Sequence, residues 1–109
     1  MKLLIIVLNK EEYLEKLLSL LVELEISGAT MLDSESVGRF LAYQVPIFAG
    51  LQEIFGQSRV TSKTILAVVK DKDFMDNFKQ LIKKEGIDFT QPDTGIIITV
   101  PVKDVITSE

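Results

Sequence analysis

The sequence predicts an α+β domain of two β-α-β halves, with two helices packed on one face of a four-stranded antiparallel sheet. Three observations lead there. Two short, β-branched apolar runs, Leu3 to Leu8 and Thr64 to Val69, each lead into an amphipathic segment with helical spacing. A third run, Ile96 to Val100, closes the pattern after a cluster of turn residues. The chain has 109 residues, 47% of them hydrophobic, which is the size of a single domain able to bury one core.

The first run, Leu3-Leu4-Ile5-Ile6-Val7-Leu8, is too short for a membrane span or a secretory core and suits a strand buried on both faces. Asn9, with Glu12 three residues later, has the spacing of a capping box and predicts a helix start. Leu14, Leu17, Leu18 and Leu21 then recur on one face, with Glu11, Glu15, Ser19 and Glu23 opposite, and Gly28 offers a left-handed stop. Ala29 to Leu32 reads as a second strand, and the polar stretch Asp33 to Gly38 weakens whatever follows it. A long loop is expected over residues 39–62. The third strand begins near Thr64, and Asp71 or Asp73 caps the next helix. In that helix Phe74, Phe78, Leu81 and Ile82 share a face, Lys83 and Lys84 complement the C-terminal dipole, and Gly86 follows as a stop. Gln91-Pro92-Asp93-Thr94-Gly95 turns the chain into the last strand, which Pro101 ends. Strand, helix, strand, long loop, strand, helix, strand is the ferredoxin-like order.

Composition narrows function. Lys and Arg number 12 against 16 Asp and Glu, a net charge of -4, which disfavours a phosphate backbone as partner; no nucleic acid is expected. With no Cys and no His, the thiolate, imidazole and zinc chemistries are excluded, and a catalytic role is not expected. The helix carboxylates Glu11, Glu12, Glu15, Glu23 and Glu25 lie among Lys10 and Lys16 at ion-pair spacing and read as a solvated face. Asp33, Glu35 and Asp93 near loop ends could offer oxygen ligands, yet no metal is assigned to them. A cytoplasmic location without membrane insertion is expected.

The strands carry apolar residues on both faces: Leu3, Ile5 and Val7 against Leu4, Ile6 and Leu8, and Leu66 and Val68 against Ile65, Ala67 and Val69. Each such side chain left in water would forgo roughly 1.5–3 kcal/mol, so the face away from the helices is expected to be covered by other copies of the chain. The alternative is that the long middle loop folds back over the sheet and leaves a monomer.

In this order and spacing the chain resembles the PII-like signalling family. The resemblance spans nearly the whole chain. It rests on Lys2 to Leu8 as first strand, Gly28-Ala29-Thr30 leading into the second, a long loop leaving at Gly38, and Gly95-Ile96-Ile97-Ile98-Thr99-Val100-Pro101-Val102-Lys103-Asp104-Val105 as terminal strand and tail. It implies a homotrimer assembled through the sheets, with ATP or ADP bound between subunits, and a long loop that docks on an enzyme, regulator or membrane transporter. In the family this serves nitrogen regulation by sensing rather than catalysis. By the resemblance, Thr30 lies beside the adenine, Ser36 and Gly38 take the places of the two loop-base glycines, and Gly95 precedes the phosphate-binding position. That position holds Ile96 in place of the family's lysine, and Val105-Ile106-Thr107-Ser108 stand where arginines are usual. These replacements remove the strongest phosphate contacts. Lys63, at the head of the third strand, is the candidate to supply one from another direction.

The expected loop is unusually apolar. It carries Phe40, Leu41, Tyr43, Val45, Ile47, Phe48, Leu51, Ile54 and Phe55, and Pro46 could open a short helix through Phe55 with Gly56 behind it. Ile47, Leu51, Ile54 and Phe55 would then form a stripe. Tyr43, Ile47, Phe48, Leu51, Ile54 and Phe55 are the candidate partner-binding residues; packing within the assembly is the competing role. Tyr43 is the loop's only tyrosine, and a packing or interface role suits it better than covalent modification. With only Arg39 and Arg59 flanking it, the segment lacks the basic face of a membrane-surface helix. Two other function classes stand beside the sensor: a structural or cation-tolerance-type trimer of the same fold with no nucleotide effector, and a small enzyme on this scaffold.

Overall fold

Alternating burial divides the first strand cleanly: in β1 (Lys2–Leu8), Leu4, Ile6 and Leu8 are buried while Leu3, Ile5 and Val7 are partly open. A computed structural model describes residues 1–26, 28–55 and 61–108. β1 lies between β3 (Ser62–Val69) and β4 (Gly95–Pro101), and β2 (Thr30–Ser34) adds to the far side of β3. The order β2-β3-β1-β4 is antiparallel throughout, an α+β arrangement compatible with a ferredoxin-like fold. β2 and β3 each reach beyond their expected ends, because Ser34 pairs with Ser62 in register.

The core lies on one face of the sheet. Leu4, Ile6 and Leu8 of β1 and Ile65, Ala67 and Val69 of β3 meet two helices, α1 (Leu14–Glu23) and the helix over Phe74–Lys84. α1 contributes Leu17, Leu20 and Leu21; the other contributes Phe74 and Phe78, whose rings stack with centroids 5.2 Å apart. The helix boundaries differ from expectation at three ends. No capping box forms at Asn9: a 3-10 turn over Glu11–Tyr13 leads into α1, and no side chain caps either start. α1 stops at Glu25, not Gly28. Glu25 takes the left-handed conformation at φ 65°, its N–H bonds the carbonyl of Val22 and that of Ile26 bonds Leu21, the paired closure of a Schellman motif. Asp73 precedes the Phe74 helix without capping it through its side chain, while Asp71 accepts from the Asp73 N–H at 2.9 Å.

The expected long loop is largely helical. Ser36 caps α2 (Val37–Gln44) by accepting from the N–H of Arg39 at 3.1 Å. Gly38 therefore lies in the first turn of a helix and not at the mouth of a loop. Pro46 opens a 3-10 helix to Leu51, which runs into α3 (Gln52–Phe55), and the helix Phe74–Lys84 is accordingly α4. Among the described residues there are four α-helices: the two expected on the sheet, the short one expected after Pro46, which is 3-10 helix before it becomes α3, and α2, which was not expected. The excursion folds chiefly on itself: Gln52 Nε2 donates to the Ala42 carbonyl at 2.8 Å, and Ala42 is buried apart from the main core. The Phe55 side chain, the stop expected at Gly56, and Arg59 lie outside the described residues.

The described part of the excursion leaves the other face of the sheet open. Val68, Ile96, Ile98 and Val100 there remain 40–51% exposed. After β4 the Val102 N–H bonds the Met1 carbonyl, and the tail brings Val105 and Thr107 beside Val68 and Ile26. Among the described residues no helix is long and apolar enough to cross a membrane.

Candidate functional site

Antiparallel register places the candidate ligand residues. Asp33 of β2, Lys63 of β3, Leu8 of β1 and Gly95 of β4 form one row across the sheet, with Ser34 opposite Ser62 in the next. Ser36 and Gly38 follow just beyond that end. Thus Ser36, Gly38, Lys63 and Gly95 share one end of the sheet, although Lys63 and Gly95 are two strand spacings apart, about 10 Å. Thr30 does not join them. It pairs with Leu66 near the middle of the sheet, on its uncovered face, three residues along β2 from Asp33.

Register also sets which face each residue uses. Lys63 is paired with Leu8 and so shares the helix-covered face with Ile65 and Ala67, whereas Thr30 and Ile96 belong to the opposite one. Its ammonium donates to the Asp33 carboxylate directly across the ladder. That hydrogen bond raises the Lys63 pKa above its ordinary 10.5, with a smaller push from the charges of Asp33 and Glu11 and a counter-effect from desolvation. A lysine so held has its charge answered within its own subunit. Gly95 has a backbone reason for its identity: at φ 141° it runs so close to β1 that a Cβ would overlap the Val7 carbonyl oxygen.

A cluster that sequence reasoning missed lies at the same end, on the uncovered face. The Ser34 hydroxyl donates to the Ser62 carbonyl at 3.2 Å, the Ser62 hydroxyl donates to the Ser34 carbonyl at 3.3 Å, and the Thr64 hydroxyl donates to Ser34 Oγ at 2.7 Å. Every proton of the three is used internally. What remains toward a ligand is acceptor capacity, which suits an amino group better than a phosphate oxygen. The signal was the i, i+2 spacing of Ser62 and Thr64, meaningful only once the β2–β3 register is known.

The candidate partner-binding residues separate. Ile47 and Ile54 are 85% and 69% exposed, Phe48 is 40% exposed, and Leu51 is half-buried. Because Pro46–Leu51 winds as 3-10 helix, Phe48 and Leu51 eclipse one another while Ile47 is turned about 120° from Leu51, so the single expected stripe does not form. Exposed Val37 and Phe40 on α2 widen the apolar surface instead. The Tyr43 side chain is half-buried, and its hydroxyl is buried without a hydrogen-bond partner among the described residues. Comparison with protein-family models finds no match, and comparison with curated protein sequences finds none either.

Proposed function

We propose that this chain is one subunit of a PII-like homotrimeric regulator that assembles through the uncovered sheet face, binds a small effector between subunits, and engages a target protein through the excursion at 39–62. The observation that carries the reading is the uncovered face itself. Val68, Ile96, Ile98 and Val100 stand there in adjacent rows, next to half-buried Leu3, Ile5, Val7 and Leu66. At 40–51% exposure each of the first four would gain roughly 1 kcal/mol on being covered. The effector would lie against Thr30 and the half-buried Ser34 and Thr64 hydroxyls, where an adenine amino group finds acceptors. The excursion, with Ile47, Phe48 and Ile54 exposed beside the same sheet end, is the surface for an enzyme, regulator or transporter.

One observation favours a second reading, a trimer of this fold with no nucleotide effector. Lys63, the cation of the candidate ligand set, is engaged by Asp33 on the wrong face, and Ile96 provides no replacement. One experiment separates the two: native mass by light scattering together with a thermal-shift screen against ATP, ADP, AMP, cyclic dinucleotides and 2-oxoglutarate, since a ligand of the folded state raises Tm. Trimer mass with a reproducible nucleotide shift supports the regulator. Trimer mass with no shift favours the effector-free assembly, and a monomer defeats both.

A further inference from the structure

On the helix-covered side, between α4 and β4, lies a cavity of about 740 Å³ whose walls are Met75, Phe78 and Ile82 of α4, Ile87 and Phe89 of the returning segment, and Ile97 of β4. Its volume is within the range of small-molecule sites, roughly 300–1,000 Å³. The chain makes it by reversing at Gly86, which closes α4 at φ 76° and hands buried Ile87 back under the helix; the space beside the Gly86 Cα is open.

The rim carries charge. Lys79 and Lys83 stand on successive turns of α4, both exposed, and form no ion pair among the described residues. The lining also includes Asp88, whose carboxylate is already occupied, accepting from the Thr90 N–H at 2.9 Å, the Thr90 hydroxyl at 2.6 Å and Gln91 Nε2 at 3.4 Å. Two cations less one carboxylate leave a local charge of +1 beside an apolar pocket. We propose that this cavity binds an amphiphilic monocarboxylate, its hydrocarbon among Met75, Ile82 and Ile97 and its carboxylate between Lys79 and Lys83. The site is on the opposite side of the sheet from the assembly face, and so is independent of the function proposed above.

The test is methyl NMR on the full chain labelled at Ile and Met, titrated in parallel with octanoate and 1-octanol. Octanoate is expected to shift the Met75, Ile82, Ile87 and Ile97 methyls and leave Ile5, Ile96 and Ile98 of the other face in place. The double variant Lys79→Gln, Lys83→Gln should weaken octanoate about tenfold and leave octanol unchanged. Ile82→Trp, which fills the cavity, should abolish the octanoate shifts of Met75 and Ile97 with the rest of the spectrum folded. The proposal is overturned if octanoate shifts no methyl or only those of the open face, or if the lysine variant binds it as tightly as the parent. It is equally overturned if the cavity methyls shift on dilution alone and octanoate does not compete, which would make a second copy the occupant.

Discussion

Gly95 of β4 runs so close to Val7 of β1 that no Cβ fits between its Cα and the Val7 carbonyl oxygen, and its φ of 141° lies where side-chain-bearing residues are strained. The turn before it is fixed on the same strand, where the Asn9 N–H bonds the Thr94 carbonyl at 2.9 Å. The obstacle is backbone, which cannot move aside as a side chain can. Gly95→Ala is therefore expected to cost about 3 kcal/mol or more, lowering Tm by well over 10 °C in a chain of this size. Thermal unfolding by circular dichroism checks it. An unchanged Tm would mean that β4 enters the sheet in another register.

Glu25 is the converse case. It occupies the left-handed closing position of α1 at φ 65°, where a residue with a Cβ pays about 1–2 kcal/mol and glycine pays little. Glu25→Gly should raise Tm by several degrees, and Glu25→Ala should leave it unchanged or slightly lower. A lower Tm for the glycine variant would show that Glu25 supplies a contact worth more than the strain.

Two residues paired with the same β1–β3 ladder should respond oppositely to a buried-charge test. Ile6 is fully buried against the helices, whereas Val68 is 40% exposed on the uncovered face. Ile6→Asp is expected to unfold the subunit, because it strands a carboxylate in the core. Val68→Asp should keep the monomer's circular dichroism and alter only native mass by light scattering. Native mass unchanged from that of the parent protein in Val68→Asp would count against assembly through this face.

Much of this architecture was legible because apolar periodicity is a local property. β1, β3, β4 and α4 announce themselves in runs such as Thr64 to Val69 and in the Phe74, Phe78, Leu81, Ile82 face, and the strand-helix order follows. α2 was missed although its cap, Ser36, is plain in the sequence. Asp33 to Gly38 reads as turn-forming residues, and only the pairing of Ser34 with Ser62 shows that the strand continues to the edge of that cap. Glu25 could not be foreseen as a helix stop, since Gly28 has the better intrinsic preference and the bonds to Leu21 and Val22 decide the matter. The candidate site suffered most, because it depends on register. That Lys63 meets Asp33 on the helix side, away from Thr30, is a consequence of which residues stand opposite across β2 and β3, and nothing local specifies it.

The Asp88 carboxylate offers a pH test of the segment that closes the α4–β4 cavity. The Thr90 hydroxyl and then the Thr90 N–H hold its pKa below the ordinary 3.8 against an opposing effect of desolvation, with lesser help from Gln91 and the charge of Lys10. A carboxylate with a lowered pKa in the folded state binds fewer protons than it does unfolded, so its stabilisation is complete above about 3.8 and is lost as pH falls through the lowered value. Thr90→Val removes the hydroxyl donor and keeps the N–H. The Asp88 pKa, followed by carboxyl NMR titration, should then move up toward 3.8, and acid unfolding should begin at higher pH than in the parent protein. Lys63 provides the opposite sign in the same titration series: its raised pKa means that its pairing with Asp33 stabilises fully below 10.5 and is lost as pH rises through the higher folded value. Asp33→Asn should therefore lower the Lys63 pKa and flatten the alkaline limb. A shift of the Asp88 pKa in Asp33→Asn, or of the Lys63 pKa in Thr90→Val, would mean that the two groups are coupled, in contradiction to the separate hydrogen-bond networks at Asp88 and Asp33.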